Sequence, residues 1–214
     1  MPMTTNKIFV ESASVDDGTD DEELSSSTRV GGSFGVDYGA LPLPEYDRWF
    51  DAIRNDDSDE VDVTLTVCDD PAELRRLVDG RFRFYDIGAV RNVDVKNCSF
   101  THPLTLAIAY GALRVVDVLL QQGGVRADEV IEAGGNNVVH CLVCLAFYDA
   151  FLEDDAVRTY EFLCRRLTSE QLERLLLAEN ANGLRPLEFA VQQGTLKLMS
   201  AMFETNGVYV KRQV

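Results

Sequence analysis

Histidine is the scarcest chemistry-bearing residue here: there are two among 214 residues, His102 and His140, beside a single tryptophan. General-base catalysis therefore has few places to live. No nucleophile–base pair, phosphate-cradling glycine loop or H-E-x-x-H string occurs, so no enzyme activity and no catalytic residue are expected. No cofactor is expected either. Long apolar runs are missing too: nothing approaches the roughly eighteen consecutive apolar residues of a bilayer span, so no membrane segment is expected. Residues 1–10 hold one lysine and no apolar stretch, which argues against a secretory signal. Five cysteines, at 68, 98, 141, 144 and 164, are an odd number at irregular spacings. They do not read as a disulfide framework, and a reducing, cytosolic setting follows. In that setting the Asn97-Cys98-Ser99 sequon is read as chance.

Basic residues are scarce in one region only. The net charge is −16, but residues 1–79 carry 20 acidic and 6 basic side chains against 16 and 14 in residues 80–214. Such a surface repels nucleic acid and anionic lipid, so neither is an expected partner. Residues 1–44, with Asp16, Asp17, Asp20, Asp21, Glu22 and Glu23 followed by Ser25-Ser26-Ser27-Thr28, read as a disordered acidic leader. Ser14 and Thr19 each precede an acidic residue by three, a weak acidophilic-kinase pattern.

What is present is helical periodicity. Tyr46, Trp49, Phe50 and Ile53 recur on one helical face. A clearer unit opens at His102: a short helix headed by Pro103 and ended by Gly111, then a second helix through Leu113, Val116 and Leu119, ended at Gly123-Gly124. The unit recurs, since Gly194 follows Pro186 at the same offset and Met202-Phe203 match Leu119-Leu120. Between the two copies, Asn137 to Val143 fits the template with Val138 in the place of proline. The steps are 35 and 48 residues. Ala146 stands where the flanking copies have glycine, so the inner helix is expected to run past it. Thr168 with Gln171 reads as a capping box for a further helix through Leu177. A degenerate first unit over Trp49 to Leu65, a helix from Pro71 to Val78 and an irregular or hairpin-like connection over Gly80 to Lys96 complete the reading.

The pairs His102/Thr105, Asn137/His140 and Arg185/Glu188 each span a first helical turn, as the Thr and His of the ankyrin Thr-Pro-Leu-His signature do. The first step lies near the ankyrin period, and the second carries an insertion. The stretch Gly135 to Val143, the long insertion, and Asn182-Gly183-Leu184-Arg185-Pro186-Leu187 resemble the later ankyrin repeats of vanilloid-type TRP cation channels, over residues 97–205. The resemblance implies an all-α ankyrin-repeat solenoid of three to four helix pairs, divided as leader (1–44), degenerate first repeat and irregular connection (45–99), repeats (100–207) and C-terminal extension (208–214). It implies the cytosolic side of a homotetrameric calcium-permeable channel, with protein partners that include neighbouring subunits. A free-standing ankyrin adaptor is the alternative. Binding is expected on the concave surface of inner helices and loops, with Tyr110, Arg114, Gln192, Gln193 and Lys197 as candidate contacts.

Two tempting ligand sets read as structural. Cys141 and Cys144 have CxxC spacing beside His140, but they fall on an inner helix where small apolar residues pack. Asp57, Asp59 and Asp62 hint at a calcium loop, yet it has no glycine at its sixth position and Cys68 at its twelfth. No metal site is expected. Val208-Tyr209-Val210 has strand character and reads as a possible sheet edge.

Overall fold

The computed structural model describes residues 46–82, 100–148 and 150–205, all within one unit spanning 37–214. These residues form ten α-helices and no strand: α1 Asp47–Arg54, α2 Ser58–Val67, α3 Pro71–Asp79, α4 Pro103–Tyr110, α5 Leu113–Gln121, α6 Val138–Tyr148, α7 Ala150–Arg166, α8 Ser169–Leu177, α9 Pro186–Gln193 and α10 Leu196–Glu204. The described part is thus all-α, as expected. The acidic leader, most of the Gly80–Lys96 connection, Cys98 and the Val208–Val210 stretch lie outside the described residues.

Local chemistry sets the helix limits. The helices α4, α6 and α9 begin at Pro103, Val138 and Pro186, the positions that the repeat spacing predicts. Gly111 and Gly194 adopt left-handed backbone (φ 68° and 72°) and turn their N–H groups back onto the last carbonyls of α4 and α9. With Ala146 in place of glycine, α6 runs on to Tyr148, and α7 follows for 17 residues. The capping box forms as read: Gln171 N–H donates to Thr168 Oγ1 at 3.2 Å, and Thr168 N–H to Gln171 Oε1 at 3.0 Å.

The helices pair as α1/α2, α4/α5, α6/α7 and α9/α10, and the pairs stack in two rows. In the inner row α1 packs on α4, α4 on α6 and α6 on α9. In the outer row α2 packs on α5, α5 on α7 and α7 on α10. Helices α3 and α8 stand outside the rows, α3 against α4 and α8 against α6 and α9. The middle inner helices are buried almost all round, through Leu104, Leu106, Ala107 and Ile108 in α4 and Val139, Cys141, Leu142 and Val143 in α6. Outer helices bury only a stripe: Val61 and Leu65, then Val115, Val116 and Leu119, then Leu198 and Met202. Helices of eight or nine residues do not persist alone in water. Burial of each such side chain, at roughly 1.5–3 kcal/mol, is what holds them.

The described loops between the pairs run along one edge, and here the caps come from a distance. Glu132 is buried, and its carboxylate accepts from Thr101 N–H (2.9 Å), His102 N–H (2.9 Å) and the Thr101 hydroxyl (2.7 Å), with the Thr105 hydroxyl also donating to it. It therefore ties the loop after α5 back to the start of α4. The same loop reaches forward. Asn180 Nδ2 donates to Asn136 Oδ1 at 3.1 Å, and Ala181 N–H donates to the Gly134 carbonyl at 2.8 Å. Gly135 (φ 72°) sits against that contact, where a Cβ would come within 2.9 Å of the Ala181 nitrogen, so only glycine fits.

The capping pairs behave differently from one another. His102 Nδ1 accepts from Leu104 N–H at 3.0 Å, while Thr105 turns to Glu132 rather than back to the backbone N–H of His102. Asn137 Oδ1 accepts from Val139 N–H and His140 N–H, and its amide donates to the Leu175 carbonyl at 2.8 Å. His140 Nε2 lies 2.9 Å from the Leu184 carbonyl, which can only accept, so Nε2 carries the proton. Glu188 reaches back to Arg185 N–H at 2.9 Å, but the Arg185 guanidinium turns to Glu179 at 3.7 Å and not to Glu188.

Two predictions follow from this edge. Replacing Glu132 by Ala leaves several buried donors without an acceptor and is expected to cost about 3 kcal/mol of stability. Urea unfolding followed by circular dichroism measures it, and a loss below about 1 kcal/mol contradicts the capping role.

The second concerns acid. Burial, and then the Arg81 cation, pull His102 from its usual 6.5 down to about 3. Asp79 Oδ1 stands 3.6 Å from Nε2, but that carboxylate is 65% exposed and too well solvated to reverse the effect. The unfolded imidazole takes up its proton near pH 6.5 and the folded one only near pH 3. The unfolded state therefore binds more protons in between, and stability falls as the pH drops through that window, by about 2 kcal/mol at pH 5. His140, also pulled down by burial, contributes with the same sign. His102→Asn keeps a cap acceptor and is expected to remove most of the His102 share of this slope, read from urea midpoints at pH values of about 7.5 and about 5.

Candidate interaction surface

The edge opposite the long loops is formed by the short turns within each helix pair. All five candidate contacts fall there. Tyr110 ends α4 and Arg114 lies in the first turn of α5, on either side of Gly111; Gln192 and Gln193 end α9 and Lys197 lies in the first turn of α10, around Gly194. Arg114, Gln192 and Lys197 are exposed, while Tyr110 and Gln193 are half-buried. The two groups occupy equivalent places in the stack, separated by the α6/α7 pair. At about 10 Å per packed helix, roughly 20 Å lies between them, so they form two patches and not one.

Both cations are already engaged within the chain. Ala112 and Thr195 precede the outer helices α5 and α10 without a side-chain cap. A carboxylate from the preceding pair supplies it. Asp56 Oδ1 accepts from Arg114 N–H and Val115 N–H, both at 3.0 Å, and Asp56 Oδ2 meets Arg114 Nε at 3.0 Å. In the later pair, Glu153 Oε1 accepts from Lys197 N–H at 2.8 Å, and Asp154 Oδ1 meets Lys197 Nζ at 2.7 Å. Hydrogen bonding and charge from Asp56 raise Arg114 further above its ordinary value, and Asp154 does the same for Lys197. These cations are positioned by their carboxylates and offer a partner only their outward faces. Asp56 takes φ 53°, the one left-handed non-glycine backbone among the described residues. Its place between α1 and α2 lets one carboxylate reach two amide groups of the next pair.

Further ion pairs lace the outer surface. Arg166 in α7 meets Asp117 in α5 at 2.7 Å, and Arg174 in α8 meets Asp128 at 2.8 Å. Burial pushes the Asp128 carboxyl upward, but the hydrogen bond from Arg174 and the neighbouring Arg126 outweigh it and hold the group below its ordinary value. Members of the tempting ligand sets take structural roles. Cys141 and Cys144 are buried in α6, and His140 Nε2 is committed to Leu184. Asp57 caps α2 through Glu60 N–H at 3.1 Å.

Sequence reasoning missed Asp56, Glu132, Glu153 and Asn180 as positioning residues. Each acts on a partner at least 27 residues away, except where Asn180 also closes its own loop on Asn182 and Leu184. No local pattern announces such a partner. Neither a protein-family model nor a curated protein matches the chain.

Asp56→Ala removes the cap of α5 and is expected to cost about 1–2 kcal/mol, whereas Asp56→Asn keeps an acceptor and tolerates left-handed backbone and is expected to cost less than half of that. Equal losses in the two variants, read from urea midpoints, contradict the remote-cap assignment.

Proposed function

We propose that this chain is an ankyrin-repeat interaction domain similar to the cytosolic region of a vanilloid-type TRP cation channel subunit. The observation that carries the reading is the serial stacking of four helix pairs in two rows, each joined to the next by loops that dock on one another. Ankyrin arrays stack in this manner, each unit touching only its neighbours, and they bind partners with a broad face. The string from Gly135 to Val143 and the 48-residue step support the channel relationship over a generic array.

In this role the domain carries no chemistry. It presents two patches on the turn edge, around Tyr110–Arg114 and Gln192–Lys197, to protein partners, neighbouring subunits of a tetramer among them. The pore, and with it calcium transport, belongs to the full-length channel.

Sequencing the transcript beyond the Val214 codon tests the channel reading. Six apolar segments of about 20 residues are expected downstream. A stop codon directly after Val214 overturns the channel subunit and favours the free-standing ankyrin adaptor.

A further inference from the structure

The last helix pair repeats the α4/α5 pair at a constant offset, Pro186 standing for Pro103 and Gly194 for Gly111. On that offset Val191 takes the place of Ile108, Leu196 that of Leu113 and Phe203 that of Leu120. Ile108 is 2% exposed, and Leu113 and Leu120 are half-buried. Val191, Leu196 and Phe203 are instead 57%, 66% and 58% exposed. The neighbours account for the difference. Helices α6 and α7 of the next pair pack on α4 and α5, whereas no described helix follows α10 to cover α9 and α10 in the same way. Leu196 and Phe203 lie two turns apart on one stripe of α10. A solvated end repeat carries polar residues on its outer face, and at these three positions this one does not.

Both ends of the stack expose apolar side chains, since Val63 and Val67 are exposed at the first pair. Charge decides between the two ends. Residues 47–67 hold seven acidic and two basic side chains, a balance of −5, while residues 186–204 hold two acidic and one basic, a balance of −1. Two first pairs brought face to face repel one another; two last pairs scarcely do.

We propose that the outward face of α9 and α10 binds a second copy of this chain about a two-fold axis. Such an isologous contact needs no surface that the chain does not already carry, because Val191, Leu196 and Phe203 of one copy are covered by the same face of the other. The stacking contact that α6 and α7 make on α4 and α5 is thereby supplied to the last pair as well. The acidic first pairs stand at the two far ends of the dimer. The inference rests on the stacking of the pairs and not on the ankyrin or channel reading.

Sedimentation velocity of the full chain from about 1 to about 300 μM tests it, a range in which a contact built on two short helices per copy dissociates. A monomer–dimer equilibrium is expected. Phe203→Lys and Val191→Lys alter exposed side chains, so the urea midpoint is expected to hold while the dimer dissociation constant rises at least about tenfold. Lysine lowers the net negative charge, so that rise does not come from general repulsion between acidic chains. Val63→Lys, at the other end of the stack, is expected to leave the constant within about twofold. Raising the salt from about 0.05 to about 0.5 M screens the repulsion between the two copies and is expected to tighten the dimer.

A monomer at every concentration overturns the inference. So does a dimer that Phe203→Lys and Val191→Lys both leave intact, one that Val63→Lys dissociates, or one that salt weakens.

Discussion

A buried carboxylate on a loop holds this array in register. Glu132 collects the N–H groups of Thr101 and His102 and the hydroxyls of Thr101 and Thr105, so the start of α4 is fixed by a residue that follows α5. Helix packing alone leaves freedom to slide along an apolar stripe. Hydrogen bonds do not, because their geometry fails within a few tenths of an ångström. Through Asn136 the same loop is bound to Asn180, and through His140 the start of α6 is bound to Leu184. Register therefore passes along the loop edge, while the apolar rows supply most of the energy.

The division between inner and outer helices has a compositional cause. Inner helices lie between two neighbours with a partner behind them, so α4 is apolar at nearly every position from Leu104 to Ala109. Outer helices meet the same neighbours on one side and water on the other, and α5 accordingly alternates Val115, Val116 and Leu119 with Arg114, Asp117 and Gln121. Among the described residues most of the exposed large apolar side chains lie on the end pairs, with Phe147 of α6 exposed as well. Val63 and Val67 are exposed at the first pair, and Val191, Leu196 and Phe203 at the last.

Much of the helical framework was legible in the chain. The proline and glycine positions gave the limits of α4 and α9, Ala146 explained the continuation of α6, and Thr168 with Gln171 marked the start of α8. All of these are local signals, read within one or two turns. The first pair was legible through Trp49, Phe50 and Ile53, though its partner helix α2 carries little amphipathic pattern. At the candidate surface the exposure of Arg114 and Lys197 was legible, but their engagement with Asp56 and Asp154 was not, because those partners lie 58 and 43 residues away. The left-handed backbone of Asp56 was equally silent: aspartate tolerates that conformation without announcing it.

The remote caps also carry an order in time. Asp56 and Glu153 precede the helices that they complete, so a chain emerging from the ribosome presents a finished acceptor when α5 and α10 arrive. Glu132 runs the other way, and the start of α4 waits some thirty residues for its carboxylate. The turn edge is thus assembled forward and the loop edge backward. A helix pair is locked on both sides only once its successor's loop has been made, and growth along the array advances by closing the unit just behind it.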